Sequence, residues 1–328
     1  MTTGKAGQAG EQAGNRLEHF PITFFAIVMG IMGLSLACHA GTGLWPGLAR
    51  ASEAAMWLGI AIFLAIAAIY ALKILRHPGA VAAEWQHPVK LAFFPTVSIS
   101  LLLMATALLP HHPGAARTIW WLGGAGQAVL TLAVVSGWIG HRPFQVGHLT
   151  PAWFIPAVGN VIVPVAGVPL GYAELSWLFF SAGLVFWGVL LTLVMNRLVF
   201  HDPVPARLFP TLVILIAPPA VAFLAYVQLA GGLDAFARIL FYAACVFAAL
   251  VAVQVPQLAR LSFALSFWAL SFPVAAFSIA AFRYGALADS AAHGWIGAAA
   301  LALLGGLVAG LLVRTGRAIG RGEICRPE

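Results

Sequence analysis

The segment FWALSFPVAAFSIAAF, residues 267–282, sets the central problem of this sequence. It is apolar almost throughout, yet Pro273 lies in its middle, directly after Phe272. A proline inside a helix removes one backbone hydrogen bond and crowds the preceding turn, at a cost of about 3 kcal/mol in a soluble helix. A helical interpretation of this segment must therefore explain why the proline is tolerated.

The composition around this segment is that of a membrane protein. Of the 328 residues, 62% are hydrophobic and 8% are charged, whereas soluble domains carry about 25% charged residues. Apolar runs of about 20 residues predict helices that span a bilayer. The net charge of +7 comes from basic residues in the gaps between these runs. We therefore predict the lipid bilayer, and no nucleic acid, as a partner.

Ten apolar segments follow one another, and short gaps join them in pairs as five helical hairpins. Their predicted ranges are 21–40, 53–75, 90–110, 117–139, 151–169, 174–196, 207–230, 235–254, 262–282 and 290–313. The predicted fold class is thus an all-α integral membrane protein. Residues 20–313 form one transmembrane domain, between a polar N-terminal tail of residues 1–19 and a basic C-terminal tail of residues 314–328.

Basic residues lie mostly on one side of the predicted spans. The side that holds both termini carries thirteen Lys and Arg, and the opposite side carries four, Arg50, Arg117, Arg238 and Arg283. Because positively charged loops stay on the cytoplasmic side, we predict that both termini are cytoplasmic. The four outer arginines either anchor lipid headgroups or attract anions by electrostatic steering.

Pro273 has counterparts in alternate segments, which indicates a repeat with a period of two helices. Prolines inside the odd segments are Pro95, Pro156, Pro164, Pro210, Pro218, Pro219 and Pro273, and the even segments contain no interior proline. Irregular backbone in a bilayer is tolerated where it is buried in protein or lines a water-filled path. The odd helices are therefore predicted to form an inner ring around a pathway. The alternative is that these prolines only shape helix packing.

The predicted pathway is neutral, because no Asp, Glu, Lys or Arg lies well inside any segment. The polar residues at depth are Thr96, Ser98, Ser100, Gln127, Asn160, Ser266, Ser271 and Ser278. Without ionisable groups at depth, coupling of transport to protons or sodium through carboxylates is disfavoured. Beyond Phe272, the same helical face carries Ala275, Ala276 and Ile279. The phenyl ring either plugs a lumen or packs against a neighbouring helix.

Five long motifs resemble the tellurite-resistance/dicarboxylate-transporter (TehA) family, to which plant slow anion channels are related. They are HFPITFFAIVMGIMGLSLA (19–37), FFPTVSISLLLM (93–104), TPAWFIPAVGNVIVPVAG (150–167), FPTLVILIAPPAVAFLAY (209–226) and FWALSFPVAAF (267–277). The resemblance runs from about residue 17 to residue 313, in the same order of hairpins.

The resemblance implies ten helices in a quasi-fivefold arrangement around a central pore formed by the odd helices, and assembly as a homotrimer. It also implies passage of anions, with a gate at Phe272 and a lumen position at Gly30. We predict that the pore is also lined by residues of the proline-containing helices and their neighbours, namely Pro95, Pro156, Pro164, Pro218, Pro273 and Ala276.

We therefore predict an anion channel, or a channel-like transporter, for small inorganic or organic anions in the bacterial inner membrane. The alternative is a gradient-driven exporter of dicarboxylates or of a tellurium oxyanion. A membrane-embedded enzyme is disfavoured because the sequence contains no clustered catalytic groups. The histidines and cysteines also lack the spacing of metal ligands. No catalytic residue, metal or cofactor is predicted.

Overall fold

A computed structural model describes residues 16–140 and 144–325 of the chain, and within these ranges it contains helices and no strands. The ten long apolar helical segments are α1 (Ile22–Gly43), α2 (Leu48–Arg76), α3 (Lys90–Leu108), α4 (Pro113–Ile139), α5 (Pro151–Gly167), α6 (Ala173–Phe200), α7 (Phe209–Ala230), α8 (Ala235–Leu258), α9 (Leu265–Leu287) and α10 (Ala291–Gly320). A short helix, Pro78–Gln86, lies between α2 and α3.

Nine of these helices in the described ranges are long and apolar enough to cross a membrane, and α5 is shorter. The chain is therefore a multi-pass membrane protein, and the predicted all-α class is confirmed. Most of the predicted tail of residues 1–19, together with Arg142, lies outside the described ranges. At the other end α10 continues to Gly320, so part of the predicted tail of residues 314–328 is helical.

The odd helices have irregular backbones, whereas each even helix is one continuous α-helix. The 3-10 segments of the odd helices are Ile22–Phe24, Gly41–Gly43, Lys90–Phe93, Pro151–Trp153, Gly159–Ile162, Phe209–Ile216 and Leu265–Leu270. Each odd helix begins in the tighter 3-10 form and continues as α-helix. The even helices run for 24 to 30 residues without a break.

Several prolines of the odd helices lie where a 3-10 segment passes into α-helix. Pro95 directly precedes the α-helical part of α3, and Pro218 and Pro273 lie in the first α-helical turn of α7 and α9. In the first turn of an α-helix the N–H groups lack an acceptor within that helix, so a proline costs little there. The position of Pro273 at such a junction explains why an apolar helix tolerates it.

One proline departs from the predicted alternation. Helix α8 continues to Leu258, beyond the predicted end at residue 254, and it contains Pro256. The prediction that even helices contain no interior proline is therefore wrong for α8. Pro256 is exposed and lies in the last turn, where the helix is about to end and little backbone depends on its regularity.

Each odd helix packs against the next odd helix along the chain, and the last one returns to the first. The contacting pairs are α1 with α3, α3 with α5, α5 with α7, α7 with α9, and α9 with α1. Each even helix packs against its hairpin partner and against the odd helix that follows, with α10 lying on α9 and α1. The order of packing is thus cyclic.

Burial separates the two sets of helices. In their most apolar stretches, α1, α3, α7 and α9 have between 56% and 78% of their residues buried, against 22% to 28% in the five even helices. The core of the molecule is therefore built from the odd helices, and the even helices expose apolar side chains such as Leu132 and Val253. Exposed apolar surface of this kind suits contact with lipid tails.

A buried ion pair joins α2 to the helix Pro78–Gln86, close to the start of α1. Lys73 Nζ lies 3.1 Å from Glu84 Oε2 and donates a hydrogen bond of 2.9 Å to the carbonyl of Phe20. The Tyr70 hydroxyl donates to the same carboxylate oxygen at 2.8 Å. Because a buried charge is stable only when it is paired and hydrogen-bonded, this cluster fastens the start of α1 to α2.

Candidate functional site

The interior of the odd helices contains two cavities, one at each end of the molecule. The first, with about 610 Å³ of empty space including its open end, lies among the starts of the odd helices. Its lining includes Ala26 and Met29 of α1, Thr96 and Ile99 of α3, Phe154 and Val158 of α5, Ile214 and Pro218 of α7, and Trp268 and Phe272 of α9. All five odd helices contribute, and nearly every lining group is apolar.

The second cavity, with about 890 Å³ of empty space including its open end, lies among the later parts of the same helices. Its lining includes Leu36 and His39 of α1, Leu103 and Thr106 of α3, Val165 of α5, Leu224 and Gln228 of α7, and Ala276 and Ile279 of α9. In the described part of the chain, no Asp, Glu, Lys or Arg lines either cavity.

Three side chains line both cavities and therefore lie at the boundary between them. They are Ile162, Val221 and Phe272, from α5, α7 and α9. The Phe272 ring faces α1 at Gly33, since a Cβ at Gly33 would lie 3.6 Å from Phe272 Cδ2. A phenyl ring between two cavities can keep them apart, and its rotation can connect them.

The predicted pore residues fall into two groups. Phe272, Pro218 and Pro273 line the first cavity, and Ala276, like Phe272, lines the second. The remaining predicted residues, Gly30, Pro95, Pro156 and Pro164, lie on the same odd helices but outside both linings.

Gly30 lies at the contact between α1 and α9. A Cβ at this position would come within 2.9 Å of Ser271 Cβ and within 3.1 Å of Trp268 Cε3. The absence of a side chain thus permits close approach of two core helices. The prediction that Gly30 also bounds the lumen stays a prediction.

The polar residues at depth form hydrogen bonds within the protein, and among them Thr96 lines a cavity. The Gln127 side chain accepts a hydrogen bond of 2.7 Å from Ser98 and donates one of 3.0 Å to the carbonyl of Pro156. Thr131 donates to that carbonyl at 2.7 Å. Helix α4 therefore satisfies a backbone group of the irregular helix α5 on the side away from the cavities. The Pro156 carbonyl is thus buried in protein, one of the two settings in which irregular backbone is tolerated in a bilayer.

Sequence reasoning missed His39 and Gln228 as cavity residues. Both lie near the ends of odd segments, where a polar residue is equally compatible with a loop or a membrane interface. The signal available in the sequence was their shared position, late in α1 and in α7. Among the described residues, His, Cys, Asp and Glu form no group of three that could hold a metal ion.

Comparison with known proteins identifies relatives along nearly the whole chain. The family model "Voltage-dependent anion channel" (SLAC1) matches residues 19–316, a range that includes α1 to α9 and most of α10. The S-type anion channel SLAH3 of Arabidopsis thaliana is 26% identical over 294 residues, which are 84% of this chain and 44% of the plant protein.

Two prokaryotic relatives are matched over about two thirds of their length. The tellurite resistance protein TehA homolog of Haemophilus influenzae is 29% identical over 223 residues, 67% of each protein. An uncharacterized transporter of Methanocaldococcus jannaschii is 25% identical over 225 residues, 65% of this chain and 66% of the relative. The chain thus spans less than half the length of the plant relative.

Proposed function

Because the chain belongs to the voltage-dependent anion channel (SLAC1) family, we propose that it passes small anions across a membrane between its five odd helices, with Phe272 as the gate. The names of two relatives are those of an anion channel and a transporter. The observation that carries the proposal is the position of Phe272, which lines both cavities at their boundary.

The cyclic packing supports a quasi-fivefold arrangement of ten helices, with α5 as the tenth span. The odd helices contact one another in a closed order and contribute jointly to both cavities. The irregular backbone is confined to these protected helices, as expected if they surround a path within the bilayer.

The proposed pathway is uncharged and mostly apolar near the gate. An anion that enters the first cavity meets apolar side chains, since the buried Thr96 hydroxyl donates to the carbonyl of Phe93. Passage therefore costs partial dehydration and is slow while the phenyl ring blocks the way. An uncharged lining also keeps anions from being held by permanent positive charge, which favours passage over tight binding.

The proposal places the protein in the bacterial inner membrane, with both termini in the cytoplasm and the second cavity on the outer side. The excess of Lys and Arg on the side of the termini supports this orientation. We further propose a homotrimer with one pore in each subunit, as the family resemblance implies. The apolar outer faces of the even helices are available for contact with lipid or with neighbouring subunits.

Anion current through Phe272→Ala protein in planar bilayers tests the gate. Removal of the ring is expected to raise the conductance about tenfold or more, which corresponds to lowering the barrier by about 1.4 kcal/mol. Phe277→Ala, the same change on the same helix outside both cavity linings, should leave the conductance near that of the wild type. Unchanged or reduced current in well-folded Phe272→Ala protein would count against the gate.

The same recordings distinguish a channel from a carrier. A steady current that rises linearly with driving force supports the channel proposed here. Saturable flux of a dicarboxylate or tellurium oxyanion without current would instead support a gradient-driven exporter. The tellurium oxyanion is considered because the Haemophilus influenzae relative is named a tellurite resistance protein.

A further inference from the structure

The two cavities on either side of Phe272 differ in polarity. The lining of the first includes Thr96, whose buried hydroxyl donates to the carbonyl of Phe93, whereas the second is lined by His39, Thr106 and Gln228. An uncharged pathway with the same lining throughout would show no such asymmetry. The second cavity therefore presents more polar side chains to a ligand than the first.

Two of these polar side chains have hydrogen-bonding capacity to spare. Thr106 donates its hydroxyl proton to the carbonyl of Leu102 at 2.8 Å. Within residues 16–140 and 144–325, neither the His39 ring nor the Gln228 amide forms a hydrogen bond with another protein group. The amide carries two N–H donors, and a protonated imidazole carries two more. The cavity thus has up to four donors that no protein acceptor uses.

His39 and Gln228 belong to helices that are not neighbours in the cyclic packing. Helix α1 packs between α3 and α9, whereas α7 packs between α5 and α9. The two side chains therefore reach the second cavity from different sides of it. Around them the lining is largely apolar, with Leu36, Leu103 and Leu224 among its members. His39 is exposed and Gln228 is half-buried, so apolar surroundings strengthen hydrogen bonds of the Gln228 amide more than those of His39.

His39 is the titratable side chain of this lining in the described part of the chain, and its neighbours on the same side of the molecule are mixed in charge. The helices packed against α1 are α2, α3, α9 and α10. The charged and titratable residues at or near the ends of these helices on the His39 side are Arg50, Glu53, His111, His112, Arg283, Asp289 and His293. None of these groups lines the second cavity.

We propose that the second cavity is an anion-binding vestibule, in which protonated His39 and the Gln228 amide hold a small oxyanion before it reaches Phe272. This inference rests on the proposed function for its role in transport. Histidine is the side chain whose charge ordinarily changes between about pH 5 and about pH 8. Anion occupancy of the vestibule should therefore rise as the pH on that side falls, because imidazolium adds the single positive charge that the lining otherwise lacks.

Nitrate binding to the purified protein tests the vestibule without any transport. A ligand that binds the folded state raises the melting temperature, and at about pH 5.5 saturating nitrate should raise that of the wild type by about 2–4 °C. At about pH 8 the shift should largely disappear. His39→Gln should lack the acid-dependent shift, and Gln228→Leu should show a smaller one.

His111→Gln is the matched control, because it removes an exposed histidine at the same level that lies outside the cavity lining. Its nitrate response should equal that of the wild type. An equal acid-dependent shift in His39→Gln, or no shift in folded wild-type protein, would overturn the vestibule. This result does not depend on whether the protein conducts.

Planar-bilayer recordings in the Phe272→Ala background then test the role in transport. Lowering the pH on the His39 side alone should lower the half-saturating nitrate concentration about tenfold, while the pH on the opposite side should have little effect. His39→Gln should abolish this dependence, whereas His111→Gln should leave it unchanged. Absence of any anion current counts against the proposed function, whereas current without this one-sided dependence counts against the vestibule alone.

Discussion

The odd and even helices of this protein are similarly apolar, but they differ in backbone and in burial. Helices α1, α3, α7 and α9 are mostly buried and start as 3-10 helix, whereas the even helices are regular and mostly exposed. Apolar character alone therefore does not tell a helix that faces lipid from one that faces protein. The regularity of the backbone does.

The physical reason is the absence of hydrogen-bonding partners in lipid. A helix that faces acyl chains must satisfy its own N–H and C=O groups, so it stays a regular α-helix. A helix enclosed by others can depart from regularity when neighbours supply the missing bonds, as α4 does for the carbonyl of Pro156. The outer helices thus complete the hydrogen bonding of the inner ones.

The largest effect is expected from matched truncations of phenylalanine in the two sets. Phe223 of α7 is fully buried, whereas Phe200 at the end of α6 is 74% exposed. Phe223→Ala should lower the stability by about 3–5 kcal/mol, since it leaves a cavity in close packing. Phe200→Ala should change it by about 0.5 kcal/mol or less. Thermal unfolding in detergent measures both, and similar losses would contradict the comparison.

Matched glycine substitutions should show a smaller contrast. Gly30→Ala places a Cβ within 2.9 Å of Ser271 Cβ, whereas a Cβ at Gly306 of α10 would meet nothing within 4 Å. Gly30→Ala should cost about 1–3 kcal/mol through overpacking, and Gly306→Ala should be neutral or stabilising by up to about 1 kcal/mol. If Gly30 also bounds the lumen, folded Gly30→Ala protein should pass less anion current. Unaltered current would remove it from the lumen.

The smallest effect is expected where an even helix completes the bonding of an odd one. Gln127→Leu removes the donor to the Pro156 carbonyl and the acceptor for Ser98. The expected cost is about 1 kcal/mol, because Thr131 still donates to that carbonyl. Gln257→Leu, at an exposed position of α8, is the matched control and should leave the melting temperature nearly unchanged. Equal effects of the two substitutions would show that the bonding across α4 and α5 is dispensable.

Particular residues show how far sequence reasoning reached. The prolines at 95, 218 and 273 marked three of the odd helices, and the structure places them where 3-10 helix becomes α-helix. Pro256 broke the predicted alternation because α8 continues beyond the predicted end at residue 254, and Pro256 lies in the added last turn. The partner of Lys73 was also missed, since Glu84 follows on a separate short helix that only packing brings back to α2.

Composition and the order of apolar segments determined by themselves that this chain is helical, crosses a membrane several times and has two kinds of helix, because these properties depend on local hydrophobicity and backbone chemistry. Which side chains meet depended on the tertiary structure. The closed order of contacts brings Ile162, Val221 and Phe272 together between two cavities and brings His39 and Gln228 into one of them. These contacts join residues that are far apart in the chain. The geometry of the contacts follows from helix packing, which no local sequence pattern specifies.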